Sequence, residues 1–210
     1  MDRTLTVVDN HSVCFPALTG GPVLDVGCRG FRFAHALAKH RAFEGGMGHI
    51  VYAMDPAPDI EDPGNNAGII FLRAALSAKP GRYWLTDYAD KEANRLLERP
   101  DNEPVLPEPV EAIDLETLMR RYSLSGFDLV KLNCEGAEYD ILSAWPGPVA
   151  RQIVVSFHEH TPARRGDEAI ARVVEHLSQW YDVVRHEKDA RYCAGENWWD
   201  SVFVKKVGVM

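Results

Sequence analysis

The sequence predicts an α/β fold: a doubly wound, mostly parallel sheet with helices on both faces and a C-terminal antiparallel strand. Three observations predict it. Short apolar runs alternate with segments of helical period along most of the chain. The first run, Val23 to Val26, enters a glycine turn (Asp25, Gly27, Gly30) that opens a helix. Polar residues, Asp55, Asn133 and His158, stand at the ends of later runs, where open parallel sheets bind ligands. Together these describe a Rossmann-like unit. Residues 1–210 are read as one domain, with 1–21 as an N-terminal extension and 86–110 as a variable Pro-rich loop region.

Each element follows from local pattern. Residues 1–21 hold a short apolar run, Leu5 to Val8, and then a polar loop; they form either an edge element or a lip over a ligand. A strand over 22–26 leads into a helix over about 31–42, with Phe33, Ala34, Leu37 and Ala38 at helical spacing against the sheet. Gly45, Gly46 and Gly48 end that unit. A second strand, 49–54, runs into Asp55 and Pro56. Pro56, Pro58, Pro63, Gly64 and Gly68 make the next stretch a loop where a crossover helix is usual. The third strand, 69–72, is followed by Ala74, Ala75, Leu76 and Ser77, small residues that either leave room for a flat base or simply pack.

Residues 81–85 suggest a short strand or turn, and 88–99 are weakly helical. Four prolines between Pro100 and Pro109 make an extended or mobile loop, either a lid or a plain surface loop. After an extended segment at 110–113, Asp114 caps a helix over 115–122, with Leu115, Leu118 and Met119 inward. The fourth strand, 129–133, passes through Cys134 to Glu138 into a helix stopped by Pro146. The fifth, 151–157, ends in His158, Glu159 and His160. An amphipathic helix over 167–180 (Ile170, Val173, Val174, Leu177) and two strands, 181–187 and 201–206, complete the chain.

The chemistry is read from the strand ends. A dinucleotide fingerprint has a glycine where this chain has Asp25, and an acid there repels a pyrophosphate. It suits cationic groups such as the amino group and sulfonium of S-adenosylmethionine (SAM), and it disfavours an NAD-dependent oxidoreductase. Asp55 is placed to accept both hydroxyls of a ribose. Lys131 lies inside a strand and needs a partner, for which Glu135 and Glu138 are nearest in sequence. If 157–161 stay extended, His158 and His160 share a face; with Asn133 or Glu135 opposite, they supply donors for a general base or for a divalent metal such as Mg²⁺. Arg191, Tyr192, Trp198 and Trp199 form either an aromatic wall for an acceptor or a packed hairpin tip. Arg164 and Arg165 either read a phosphate or are solvated.

Composition narrows the partners. A net charge of −8 argues against broad adhesion to nucleic acid or anionic membranes, and a nucleic-acid partner is disfavoured without being excluded. No apolar run is long enough to span a bilayer, and the N-terminus lacks a signal-peptide pattern. Cys14, Cys28, Cys134 and Cys193 contain no C-x-x-C pair and read as reduced thiols of a cytoplasmic protein. No pattern specifies an oligomer.

The run from Leu129 to Glu138 resembles the hallmark of FkbM-type SAM-dependent methyltransferases, D-L-x-K-x-D-x-E-G-x-E. Asp25 to Gly30, Asp55-Pro56, Ala75-Leu76-Ser77 and Asp114 to Leu118 match further motifs of that family in the same order. The resemblance implies a class I methyltransferase that moves a methyl group from SAM, most often to oxygen, here on a small molecule or sugar. Asp25, Gly27, Cys28, Gly30, Asp55, Pro56, Ala75, Leu76 and Asn133 are the expected cofactor residues; Lys131, Asn133, Glu135 and His158 the catalytic candidates; His158, His160 and Glu135 the metal candidates. Three features depart from the family: Asn133 replaces an Asp, a Pro-rich loop replaces the helix after the second strand, and the glycine turn is one residue tighter. Asn133 keeps open a rival reading, a SAM-binding or substrate-binding protein without catalysis. A methyltransferase acting on nucleic-acid ribose is a weaker alternative.

Overall fold

The computed structural model describes residues 3–43, 49–64, 68–90, 94–100, 102–158, 166–189 and 198–208. In chain order the elements are β1 (Thr6–Val8), β2 (His11–Val13), β3 (Val23–Val26), α1 (Arg32–Phe43), β4 (Val51–Met54), β5 (Ile69–Leu72), β6 (Ala75–Leu76), β7 (Gly81–Leu85), β8 (Leu96–Leu97), β9 (Val110–Ile113), α2 (Leu115–Arg121), β10 (Phe127–Leu132), α3 (Glu138–Ser143), β11 (Ala150–His158), α4 (Gly166–Leu177), β12 (Tyr181–Asp189) and β13 (Trp198–Lys205).

Among the described residues, seven strands form the main sheet in the order β12-β13-β11-β10-β3-β4-β5. The five strands from β11 to β5 are parallel, and β13 and β12 join antiparallel at one edge. Two antiparallel strands therefore close the sheet where one was expected. Parallel strands covered on both faces read as continuous apolar runs, and β3, β4 and β10 are buried at every position. One face packs Leu24, Val26, Met54, Leu132 and Ile153 against Leu118 of α2, Ile141 of α3 and Ile170 of α4. The other packs Val23, Val51, Leu129, Val154 and Val202 against Phe33, Ala34 and Leu37 of α1 and Val13 of β2. Asp114 caps α2 as expected, accepting the Thr117 N–H at 2.8 Å.

Two parts depart from the expectations. Residues 1–21 contain a β-hairpin, β1–β2, turned by Asp9 (φ 43°) and Asn10 (φ 67°), the left-handed pair of a type I′ turn. The hairpin packs on β11 and β13, over the face that α1 leaves uncovered. The segment after β5 forms a second sheet in the order β6-β9-β7-β8. Ala75 and Leu76 are one of its strands, and the predicted weak helix over 88–99 is absent from the described part of that span. There Arg95 donates its N–H to Thr86 Oγ1 at 2.9 Å, Thr86 returns its own N–H to Arg95 O at 3.0 Å, and Leu96–Leu97 pairs with β7. Pairing with a distant strand has overridden a weak local preference. Within the Pro-rich loop, Val105 bridges to Thr86 and the Leu106 N–H bonds Leu85 O at 2.9 Å, at the end of β7. Residues 44–48, expected to end the first unit, lie outside the described residues.

Candidate active site

The strand order reverses between β3 and β10, the topological switch point at which such sheets bind ligands. Lys131 and Asp25 face each other across that junction in parallel register. Lys131 Nζ stands 3.0 Å from Asp25 Oδ1 and donates to Gly27 O at 2.9 Å and Val26 O at 3.3 Å, with both side chains almost fully buried. This corrects the expected partners of Lys131, which were Glu135 and Glu138. Register puts Asp25 on the adjacent strand and the same face, whereas the two glutamates are held across the next turn. A buried ammonium needs a close opposite charge, and Asp25 supplies it. Asp25 Oδ2, also buried, has no hydrogen-bond partner among the described residues.

The glycine turn is shaped by the protein itself. Gly27 has φ 72°, and a Cβ there would lie 1.8 Å from Asn133 O. Its N–H is bonded to Met54 O at 2.9 Å, which fastens the turn to the end of β4 beside Asp55. Gly30 has φ 77° with open space around it, and it does not line the cleft described below; its role is conformational. Burial, with the charges of Asp25 and Asp55, pushes the Cys28 thiol far up, so it stays protonated.

The turn after β10 is strained. Glu135 adopts φ 54° and Gly136 φ 99°, and a left-handed non-glycine residue costs about 1–2 kcal/mol. Glu138, fully buried at the start of α3, holds the turn by accepting the N–H groups of Cys134 (3.0 Å) and Gly136 (2.7 Å). It also receives His158 Nδ1 at 2.7 Å, while His158 Nε2 lies 3.2 Å from Glu135 Oε1. Burial alone would lower the His158 pKa, but Glu138 and Glu135 outweigh it and raise it to about 9. His158 is therefore an imidazolium at neutral pH, with both nitrogens donating. Acting as a base or a metal ligand requires the neutral ring, so this arrangement does not present the role expected of it. Among the described residues no group of three or more His, Cys, Asp or Glu side chains is placed to hold a metal ion. His160, the other expected metal ligand, lies outside the described residues, as do Glu159, Arg164, Arg165, Arg191, Tyr192 and the side chain of Trp198. Trp199 stacks on His186 with centroids 4.4 Å apart and does not line the cleft.

These elements enclose a cleft of about 390 Å³ at the carboxyl ends of the parallel strands. It brings together Asp25, Gly27, Cys28, Asp55, Pro56, Ala75, Leu76, Lys131, Asn133, Glu135 and His158, the expected site residues other than Gly30 and His160. Asp55 is nearly buried and accepts the Ala57 N–H at 3.0 Å; burial raises its pKa. Asn133 Oδ1 is buried on the cleft wall with no hydrogen-bond partner among the described residues. Sequence reasoning missed His11 of the hairpin and Arg95 of the second sheet, which both line the cleft. The Asp9-Asn10 pair was the available signal for the hairpin, since both residues tolerate positive φ. Nothing local marks Arg95.

Residues 25–191 match the profile of the Methyltransferase FkbM domain. The chain belongs to the FkbM methyltransferase family. Solved structures similar to this FkbM chain include three methyltransferases. One is the Burkholderia thailandensis 1,6-didemethyltoxoflavin-N1-methyltransferase with bound 1,6-didemethyltoxoflavin and S-adenosylhomocysteine, at 16% identity over 89% of this chain and 72% of that one, TM-score 0.39. A second is M. capricolum TrmK with S-adenosylhomocysteine, at 11% identity over 92% and 69%, TM-score 0.46. The third is a TehB-like SAM-dependent methyltransferase from Corynebacterium glutamicum, at 14% identity over 89% and 81%, TM-score 0.43. No curated protein matches the chain. Among the described residues no helix is long and apolar enough to cross a membrane.

Proposed function

We propose that this FkbM-family methyltransferase transfers a methyl group from SAM to a hydroxyl on a small molecule or sugar. The observation that carries the reading is convergence: motif residues from four separate segments, Asp25, Asp55, Ala75 and Asn133, line one cleft at the switch point. The cleft's 390 Å³ falls in the range of small-molecule sites, about 300–1,000 Å³.

The residues present suit the cofactor. Asp55 offers a carboxylate oxygen to a ribose hydroxyl pair, and Ala75 and Leu76 offer an apolar wall to the base. Asn133 Oδ1, desolvated and unpartnered, offers an acceptor to an ammonium group; a buried carbonyl without a partner costs about 1–3 kcal/mol, which a ligand N–H removes. SAM supplies a methyl group on a positively charged sulfur, so little help is needed at the leaving group. The protein's task is to align the acceptor oxygen within about 3–3.5 Å of the methyl carbon and to exclude water. In this reading His158 is a positioning residue: as an imidazolium it clamps Glu135 and Glu138 and so fixes the turn that carries Asn133.

The test is transfer of labelled methyl from SAM to a panel of hydroxyl compounds, with amines as a comparison set. Label on oxygen is the expected result, and Asp55→Ala should weaken SAM binding about tenfold or more. A second reading, a SAM-binding protein without catalysis, is favoured by Asn133 where the family hallmark carries Asp. SAM binding with no transfer to any panel member, in wild type and Asn133→Asp alike, would favour it.

A further inference from the structure

The residues proposed for the ribose and base of the cofactor occupy one side of the cleft. Asp55 and Pro56 follow β4, and Ala75 and Leu76 form β6 just after β5. His158 ends β11, on the far side of the β3–β10 junction. A donor with its ribose at Asp55 and its amino group at Asn133 turns its methyl toward the β10–β11 side. His11 stands there. β2 packs on β11 and β13, and His11 Nδ1 lies 3.5 Å from Ser156 Oγ, two residues before His158. The ring sits edge-on to Phe33 with centroids 5.6 Å apart.

His11 is only 6% exposed, and no hydrogen bond engages its Nε2 among the described residues. The Nδ1 contact, at 3.5 Å, is at the outer limit of a hydrogen bond. The ring lines the cleft, where a ligand group can reach it. The hairpin that carries it is firmly placed. Cys14 N–H donates to Gln152 Oε1 at 3.1 Å. The N–H groups of Thr19, Gly20 and Gly21 converge on Asp128 Oδ2 at 2.6–2.7 Å. Burial, Lys131 and His158 push the His11 pKa down to about 3, so the ring is neutral and keeps a lone pair.

We propose that His11 Nε2 accepts the hydroxyl of the methyl acceptor and aims its oxygen at the methyl group, making the N-terminal hairpin the acceptor wall of the cleft. This deepens the SAM-dependent reading above and rests on it. The hairpin lies outside residues 25–191, the part matched to the family. In the transfer the C–S electron pair stays on sulfur and an oxygen lone pair forms the C–O bond. The hydroxyl proton passes to Nε2 and on to water. A weak base suffices there, because an ether oxygen bearing both methyl and proton is a far stronger acid than an imidazolium. Placement of the ring matters more than its basicity.

The test needs no knowledge of the natural acceptor. The probes are two SAM analogues with nitrogen in place of sulfur, one carrying a 3-hydroxypropyl arm and one a propyl arm. Calorimetry on the full chain is expected to show the hydroxypropyl analogue binding about three- to tenfold tighter than the propyl analogue. His11→Phe should abolish that preference, and His11→Gln, which keeps an acceptor, should retain part of it. S-adenosylhomocysteine should bind all three proteins alike. In wild-type protein labelled with ¹⁵N-histidine, the His11 Nε2 resonance, assigned by its loss in His11→Gln, should move with the hydroxypropyl probe only. An unmoved resonance, or the same preference in His11→Phe as in wild type, overturns the proposal even if a variant folds poorly. Failure of S-adenosylhomocysteine to bind wild type is a separate outcome: it removes the SAM reading and this proposal with it.

Discussion

At Gly27 a methyl group would meet the Asn133 carbonyl at 1.8 Å with φ at 72°, while at Gly30, φ 77°, it would meet nothing. The two glycines of one motif are thus expected to respond differently. Gly27→Ala adds overpacking to left-handed strain and should cost about 3 kcal/mol or more; Gly30→Ala should cost about 1–2 kcal/mol. Urea unfolding of both variants measures this, and equal costs would refute the backbone-contact account of Gly27. The two site histidines should also shape stability against pH. His158, raised to about 9 from 6.5, stabilises fully below pH 6.5 and loses that contribution as pH rises toward 9, on the order of 3 kcal/mol. His11, lowered to about 3, stabilises above pH 6.5 and loses its contribution as pH falls toward 3. Unfolding midpoints between pH 5 and 9 should therefore peak near 6.5. His158→Gln should flatten the alkaline limb and His11→Gln the acid one.

The segment that joins the β1–β2 hairpin to β3 is anchored by a residue far from it in sequence. Asp128, buried in β10, accepts three consecutive N–H groups at residues 19–21 and the Thr19 hydroxyl, and pairs with Arg151 at 3.3 Å. Asp128→Ala should cost about 2–4 kcal/mol, because it strands those donors. The unfolding midpoint should fall with the denaturant slope unchanged; a loss below 1 kcal/mol would mean that the anchor is dispensable. This scale also shows what was legible in the sequence. The strands at β3, β4, β5, β10 and β11 were readable because burial leaves short, mostly apolar runs, interrupted only at positions such as Asp25, Asp128 and Lys131. The second sheet was not, since β8 is two residues long and exists only through pairing with β7. The Asp128 anchor links positions more than a hundred residues apart, and no local pattern announces it.

Across the whole molecule, one sheet and its switch point gather the site. Strand-end polarity picked out Asp55, Asn133 and His158, which all line the cleft, and the ordered motifs identified the family. Partners were less readable than positions: Glu135 was expected opposite His158, but Lys131 pairs with Asp25, and Glu138 also engages His158, because register and a strained turn, neither visible in residue order, decide which charges meet. His11 was missed because the hairpin approaches the cleft from a segment without a ligand-binding motif. The central claim is that this one cleft is the SAM site. A calorimetric titration of wild type and Asp55→Ala with S-adenosylhomocysteine tests it most directly. The account predicts one site of micromolar affinity in wild type and about tenfold or greater weakening in Asp55→Ala. No binding to wild type, or equal binding to both proteins, would contradict it.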